Sequence, residues 1–288
     1  MLDGSRRAWA AVQQDAEGPA YALRIAVCSL ASLALYAAGV AVKRVFPQSA
    51  IAKRPTVIYN FAHSLMSSSI AFASLRGLVP LSYWPHYGLP ITIGYFVCDT
   101  LVWCLPNFDV GMLVHHGVSV AVHIAVGVPL GASIAGAGDA EWAIRTSAFV
   151  YLIEASVVLL TTRWYLIQTL EGPSKLYTFN NVLLLLFWSF GRIGLVVYNA
   201  LSILPRRTEY AKAGATDIVY IFVFAHMVIF AMSFFWLMTL LKEGLGAYLF
   251  FNPKAKPKII TEWVVEGDEK KLLLSKKKKT TTASKKLE

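Results

Sequence analysis

Apolar residues run along this chain in long stretches broken by short polar links. Seven stretches stand out, at roughly 22–42, 56–79, 89–105, 110–131, 144–168, 182–204 and 217–241. At about 1.5 Å of rise per residue, a helix of ~20 apolar residues crosses a bilayer. The pattern therefore predicts an all-α fold, a polytopic membrane helix bundle of about seven transmembrane helices. The third stretch is short, and Pro90 and Pro106 frame it. Only the tetrapeptide PNFD, Pro106 to Asp109, parts it from the fourth, which predicts a helical hairpin. Tyr21, Tyr83, Trp84, Trp103, Trp142, Tyr210 and Tyr248 fall near the ends of stretches, where aromatic rings anchor helices at the membrane interface.

Composition agrees with this pattern. Of 288 residues, 56% are hydrophobic and only 15% charged, against about 25% charged in soluble domains. The organisation read from the chain is a polar N-terminal segment (1–21), a first transmembrane helix with a basic link (22–55), a six-helix membrane domain (56–245) and a basic, disordered tail (246–288). The opening segment carries Asp3, Arg6, Arg7, Asp15 and Glu17, which does not fit a cleavable signal peptide. No internal repeat is visible. Cys28, Cys98 and Cys104 all lie in apolar runs and read as buried thiols packing as small hydrophobes, with no disulfide framework.

The net charge of +10 is concentrated. Twelve of the sixteen lysines follow residue 241. A basic tail tethered to a membrane body reads as a cytosolic end facing anionic headgroups. It lacks interleaved aromatics, so no nucleic-acid partner is expected. Lys43, Arg44, Lys53 and Arg54 make the first link basic too, and seven spans place that link and the tail on one side. Arg206, Arg207 and Lys212 oppose this orientation but are outnumbered by the tail.

Candidate chemistry lies inside the apolar runs. The stretch from Val110 to Leu130 has no charge besides histidine, yet holds the pair His115-His116. Imidazole in hydrocarbon needs a protein partner or a watery cavity. His63, Asp99, His123, Glu154, Arg163, Arg192 and His226 are further polar groups in apolar surroundings. Their number predicts a shared polar interior. Asp109, His116 and His123 recur every seven residues, with Ser119 on the same stripe. Bland readings stand beside these: His63 or His226 as packed core histidines, Arg163 snorkelling to an interface, Glu154 and Arg192 as a structural ion pair. Glu154 could equally pair with a histidine. No repeated histidine cluster or HExxH helix is present, so no metal is read from the sequence.

Five ordered landmarks carry a resemblance. NFAHSLMSS (Asn60 to Ser68), GYFVCD (Gly94 to Asp99), FDVGMLVHHGVS (Phe108 to Ser119), EASVVLLTTRWYL (Glu154 to Leu166) and FGRI (Phe190 to Ile193) are each weak but together specific. From about Asn60 to Lys242 the chain resembles the TLC-domain family of multi-pass ER membrane proteins, which includes ceramide synthases and lipid-regulating relatives. The resemblance departs at two places. The acidic block that ceramide synthases carry after the histidine pair is missing from AGAGDAEWAIRT, which offers only Asp139 and Glu141, and Val158 stands where many relatives carry proline. The chain is thus more similar to the non-synthase branch.

This resemblance implies an ER protein of membrane lipid homeostasis that binds, senses or moves a lipid in an intramembrane polar cavity. His63, His123, Glu154, Arg163, Arg192 and His226 would be ligand-binding. The alternative is a ceramide-synthase-like N-acyltransferase using acyl-CoA and a long-chain base. There His115 or His116 would be base or acyl carrier, oriented by Asp99 or Glu154; His115, His116 and Asp99 are the candidate catalytic set. A cargo receptor is a further alternative. No cofactor is expected beyond acyl-CoA as substrate. Lys285 and Lys286 resemble a dilysine retrieval signal, which would make coat proteins partners and the C-terminus cytosolic.

Overall fold

The computed structural model describes residues 19–127, 140–169, 174–212 and 216–248. The N-terminal segment before Pro19, the tail after Tyr248, and Asp139 lie outside the described residues. All the elements described are helical. Seven helical runs fall on the seven apolar stretches: α1 Pro19–Val45, α2 Val57–Leu75, α3 Trp84–Asn107, α4 Val110–Gly127, α5 140–169, α6 Lys175–Lys212 and α7 Thr216–Tyr248. A short helix, Ala50–Lys53, sits in the basic link. The chain divides between Phe234 and Phe235, and the site described below lies wholly in the first part.

Among the described residues, α1, α3, α6 and stretches of α5 and α7 are long and apolar enough to cross a membrane. The described apolar part of α4, Val110–Val120, is shorter. Helix α2 is too polar to qualify by composition, because it carries Asn60, His63 and five serines. Its exposure explains why it still belongs in a bilayer. His63, Ser64, Ser67, Ser68 and Ser74 are buried, whereas Phe61, Leu65, Met66 and Phe72 are exposed. Polar-in and apolar-out is the reverse of a water-soluble helix, and it suits hydrocarbon outside and a polar bundle inside. Two of the inward hydroxyls close on their own helix: Ser67 Oγ donates to the His63 carbonyl at 2.8 Å and Ser68 Oγ to the Ser64 carbonyl at 2.6 Å.

Helix α3 begins five residues before the expected stretch and runs through Pro90. Its first turn, Trp84–Gly88, is a π turn in which the Leu89 N–H reaches the Trp84 carbonyl. That wider turn accommodates a proline which lacks an N–H to give. The core sits beside this turn. Trp84 is fully buried, donates its indole N–H to Ser147 Oγ at 2.9 Å and packs against Tyr151 with ring centroids 5.0 Å apart. Helix α1 lies along α3 at Gly94, where an added Cβ would come within 2.7 Å of the Ser29 backbone nitrogen. Small residues at such crossings let membrane helices approach closely.

The expected hairpin forms, and PNFD builds it residue by residue. Asn107 Nδ2 donates to the Trp103 carbonyl at 2.8 Å, closing the end of α3. Phe108 takes the left-handed conformation, φ 55° and ψ 39°, that reverses the chain. Asp109 Oδ1 then accepts from the Met112 N–H at 3.0 Å and caps the start of α4. The hairpin sets the last turns of α3 against the first turns of α4, which is where the histidine pair lies.

Candidate functional site

Helix α2 contributes Tyr59 and His63, one turn apart on its inward face. Tyr59 donates its hydroxyl to Asp99 Oδ1 in a buried hydrogen bond. His63 stacks flat on Tyr95, with centroids 3.8 Å apart and planes 3° off parallel. Tyr95 in turn donates to Asn60 Oδ1 at 3.1 Å, tying α3 back to α2.

Helix α3 contributes Asp99 and Cys104, and a second π turn brings them together. In an α-helix, five residues turn the chain about 500°, leaving such a pair ~140° apart. Over Thr100–Cys104 the hydrogen bonding widens, with the Leu105 N–H reaching the Thr100 carbonyl. One wide turn stacks residue 104 above residue 99. Cys104 Sγ accordingly donates to Asp99 Oδ2 at 3.3 Å.

Helix α4 closes the group. His115 and His116 are both buried, with ring centroids 5.6 Å apart. His116 stacks on Phe96 at 4.6 Å, while His115 meets the same ring edge-on at 5.9 Å. His116 Nδ1 lies 3.2 Å from Thr100 Oγ1 and 3.7 Å from Cys104 Sγ. Its Nε2 lies 3.5 Å from Asp99 Oδ2. Asp109 is spent on the helix cap and does not share this role. The side chain of His123 lies outside the described residues.

A second set of polar groups comes from α5, α6 and α7. Glu154 is buried in a 3₁₀ turn, Leu152–Glu154, inside α5. Arg192 is buried in a third π turn, Phe187–Gly194, inside α6. Its Nε donates to Ser233 Oγ at 3.2 Å and its Nη1 to Ser156 Oγ at 3.3 Å, while its guanidinium carbon lies 4.9 Å from the Trp188 ring centroid. The Trp188 indole N–H donates to the Ser233 carbonyl at 2.9 Å. Glu154 and Arg192 are close enough for their charges to act on one another. The two sets also meet electrostatically, Arg192 with His115 and Glu154 with Tyr95.

Of the residues singled out in the sequence, His63, Asp99, His115, His116, Glu154 and Arg192 thus converge. Arg163 is buried roughly 13 Å further along α5 than Glu154 by helical rise, with its guanidinium 6.0 Å from the Tyr177 ring centroid. His226 is fully buried, with Nδ1 2.7 Å from the Phe222 carbonyl of its own helix and its ring packed on Phe222.

Sequence reading missed Tyr59, Tyr95, Thr100, Cys104, Ser156, Trp188 and Ser233. Tyr59 had a usable signal, since it sits four residues before His63 on one helical face. In the sequence Arg54 is no more than part of the basic link. Its Nε donates to Thr56 Oγ1 at 3.3 Å. Burial lowers its pKa, while Tyr95, Tyr59 and Asp99 act against that shift, so its charge reaches the polar group from the membrane edge.

Residues 56–242 match the family model described as the TLC domain. No curated protein and no solved structure matches the chain.

Proposed function

The chain belongs to the TLC-domain family, and on that premise we propose that its membrane domain receives the polar head of a lipid among Tyr59, His63, Asp99 and His116. The observation that carries this reading is His63. It is buried, and among the described residues neither ring nitrogen has a hydrogen-bond partner. A buried donor or acceptor left unmet costs about 1–3 kcal/mol. A hydroxyl or amine from a lipid head would remove that cost, and Tyr95 holds the imidazole ready for it. Glu154 and Arg192 act electrostatically on the imidazole's neighbours Tyr95 and His115. The protein would then act in membrane lipid homeostasis by binding, sensing or moving this lipid. ER residence and a cytosolic lysine-rich tail are part of the proposal, supported by the family membership and by the basic charge shared by the first link and the tail.

A second reading is favoured by one specific arrangement. Tyr59, Asp99 and His116 form a chain in which a carboxylate, itself held by a phenol, faces an imidazole nitrogen. That is how a general base is oriented for acyl transfer. The missing acidic block weighs against a ceramide synthase.

One preparation separates the two. Full-length protein is purified in detergent, its co-purifying lipids are measured by mass spectrometry, and labelled sphinganine with acyl-CoA is then added. Lipid binding predicts an enriched lipid species, reduced about tenfold in His63→Ala, the loss of roughly 1.4 kcal/mol. Identical lipid content in wild type and His63→Ala refutes it. Turnover that vanishes in Asp99→Asn establishes the acyltransferase instead.

A further inference from the structure

We propose that Asp99, Cys104 and His116 form a binding site for a zinc-class divalent metal ion. The three side chains are buried, and each can place one donor atom within 4.8 Å of the other two. They offer one carboxylate oxygen, one sulfur and one imidazole nitrogen, a mixed set that suits a borderline ion such as Zn²⁺.

Two of the three donor spacings are those of a tetrahedral centre. Zinc–ligand bonds of about 2.0–2.3 Å place neighbouring donor atoms about 3.3–3.6 Å apart. Cys104 Sγ lies 3.3 Å from Asp99 Oδ2, and His116 Nε2 lies 3.5 Å from the same oxygen. A second observation points the same way. Among the described residues His116 Nε2 is buried and has no hydrogen-bond partner, while Nδ1 is engaged by Thr100 Oγ1 at 3.2 Å and lies 3.7 Å from Cys104 Sγ. The ring is therefore held with Nε2 turned to Asp99. Asp99 is steadied likewise, because Tyr59 occupies its other oxygen. Metal ligands are commonly fixed by such outer hydrogen bonds.

Binding replaces the Cys104 S–H by a metal–thiolate bond and releases that proton to solvent; Asp99 binds as the carboxylate and His116 as neutral imidazole. Three protein donors leave a tetrahedral ion one position short, the arrangement of centres that also meet water or a substrate oxygen. The proposal shares Asp99 and His116 with the lipid reading but is tested separately from it, since metal content is measured whether or not lipid co-purifies.

The test uses full-length protein in detergent, stripped with chelator and titrated with Co²⁺, with Zn²⁺ content measured by mass spectrometry before stripping. The expected result is one equivalent of Co²⁺ per chain, with a thiolate-to-cobalt charge-transfer band. The band is lost in Cys104→Ser, a one-atom change that preserves side-chain volume, and retained in Cys98→Ser. Tyr59→Phe keeps the band but weakens affinity about 10- to 100-fold. Monodisperse wild type that takes up no Co²⁺ overturns the proposal. So does a band that survives Cys104→Ser.

Discussion

Arg192 shows how a full charge is kept inside an apolar bundle. It donates to two serine hydroxyls, lies near an indole face, and sits within electrostatic reach of Glu154. Removing one member of such a pair leaves the other buried and uncompensated, at a cost of about 3–5 kcal/mol. Arg192→Leu is therefore expected to destabilise the protein by that amount, read by thermal unfolding in detergent. Adding Glu154→Gln to the same chain should recover a large part of it. If the double variant is as unstable as the sum of the singles, the pair is not coupled. Cys104 is the opposite case. Its residue type carries no sign of polar use, and its neighbours in sequence are apolar. Only its position above Asp99 gives the thiol a partner.

At the level of elements, three π turns explain most of what helical periodicity could not see. Trp84–Gly88 makes room for Pro90, Thr100–Cys104 aligns Cys104 with Asp99, and Phe187–Gly194 carries Arg192. Each inserts extra backbone into a helix, so positions beyond it lie away from where a period of 3.6 puts them. The helix crossing at Gly94 is a separate device, and it makes a separate prediction. In Gly94→Leu the new side chain meets the Cys28 side chain and the Ser29 backbone, so α1 must move away from α3. Overpacking of this kind costs about 1–3 kcal/mol. The expected signature is a lowered unfolding temperature together with faster maleimide labelling of Cys28. Unchanged labelling would mean that α1 does not depend on this contact.

At the level of the whole molecule, the chain is a multi-pass membrane protein, and the seven helical runs among its described residues predict where each link lies. With an odd number of spans, the basic link around Lys53 and the lysine-rich tail share a side. A glycosylation acceptor placed at 77–82, between α2 and α3, is expected to be modified in microsomes. One placed in the 46–49 link or in the tail is expected to stay unmodified. Modification of the tail alone would require an even number of spans. The helical class, the seven apolar stretches, the PNFD hairpin and the polar residues worth watching could all be read without coordinates, because each depends on local composition and spacing. Which of those polar residues meet could not. Arg163 and His226 look no different in sequence from Arg192 and His63, yet Arg163 lies beside Tyr177 and His226 turns to its own helix. Convergence depends on helix rotation and crossing, and those follow from π turns, a close approach at one glycine, and long-range packing that no local pattern encodes.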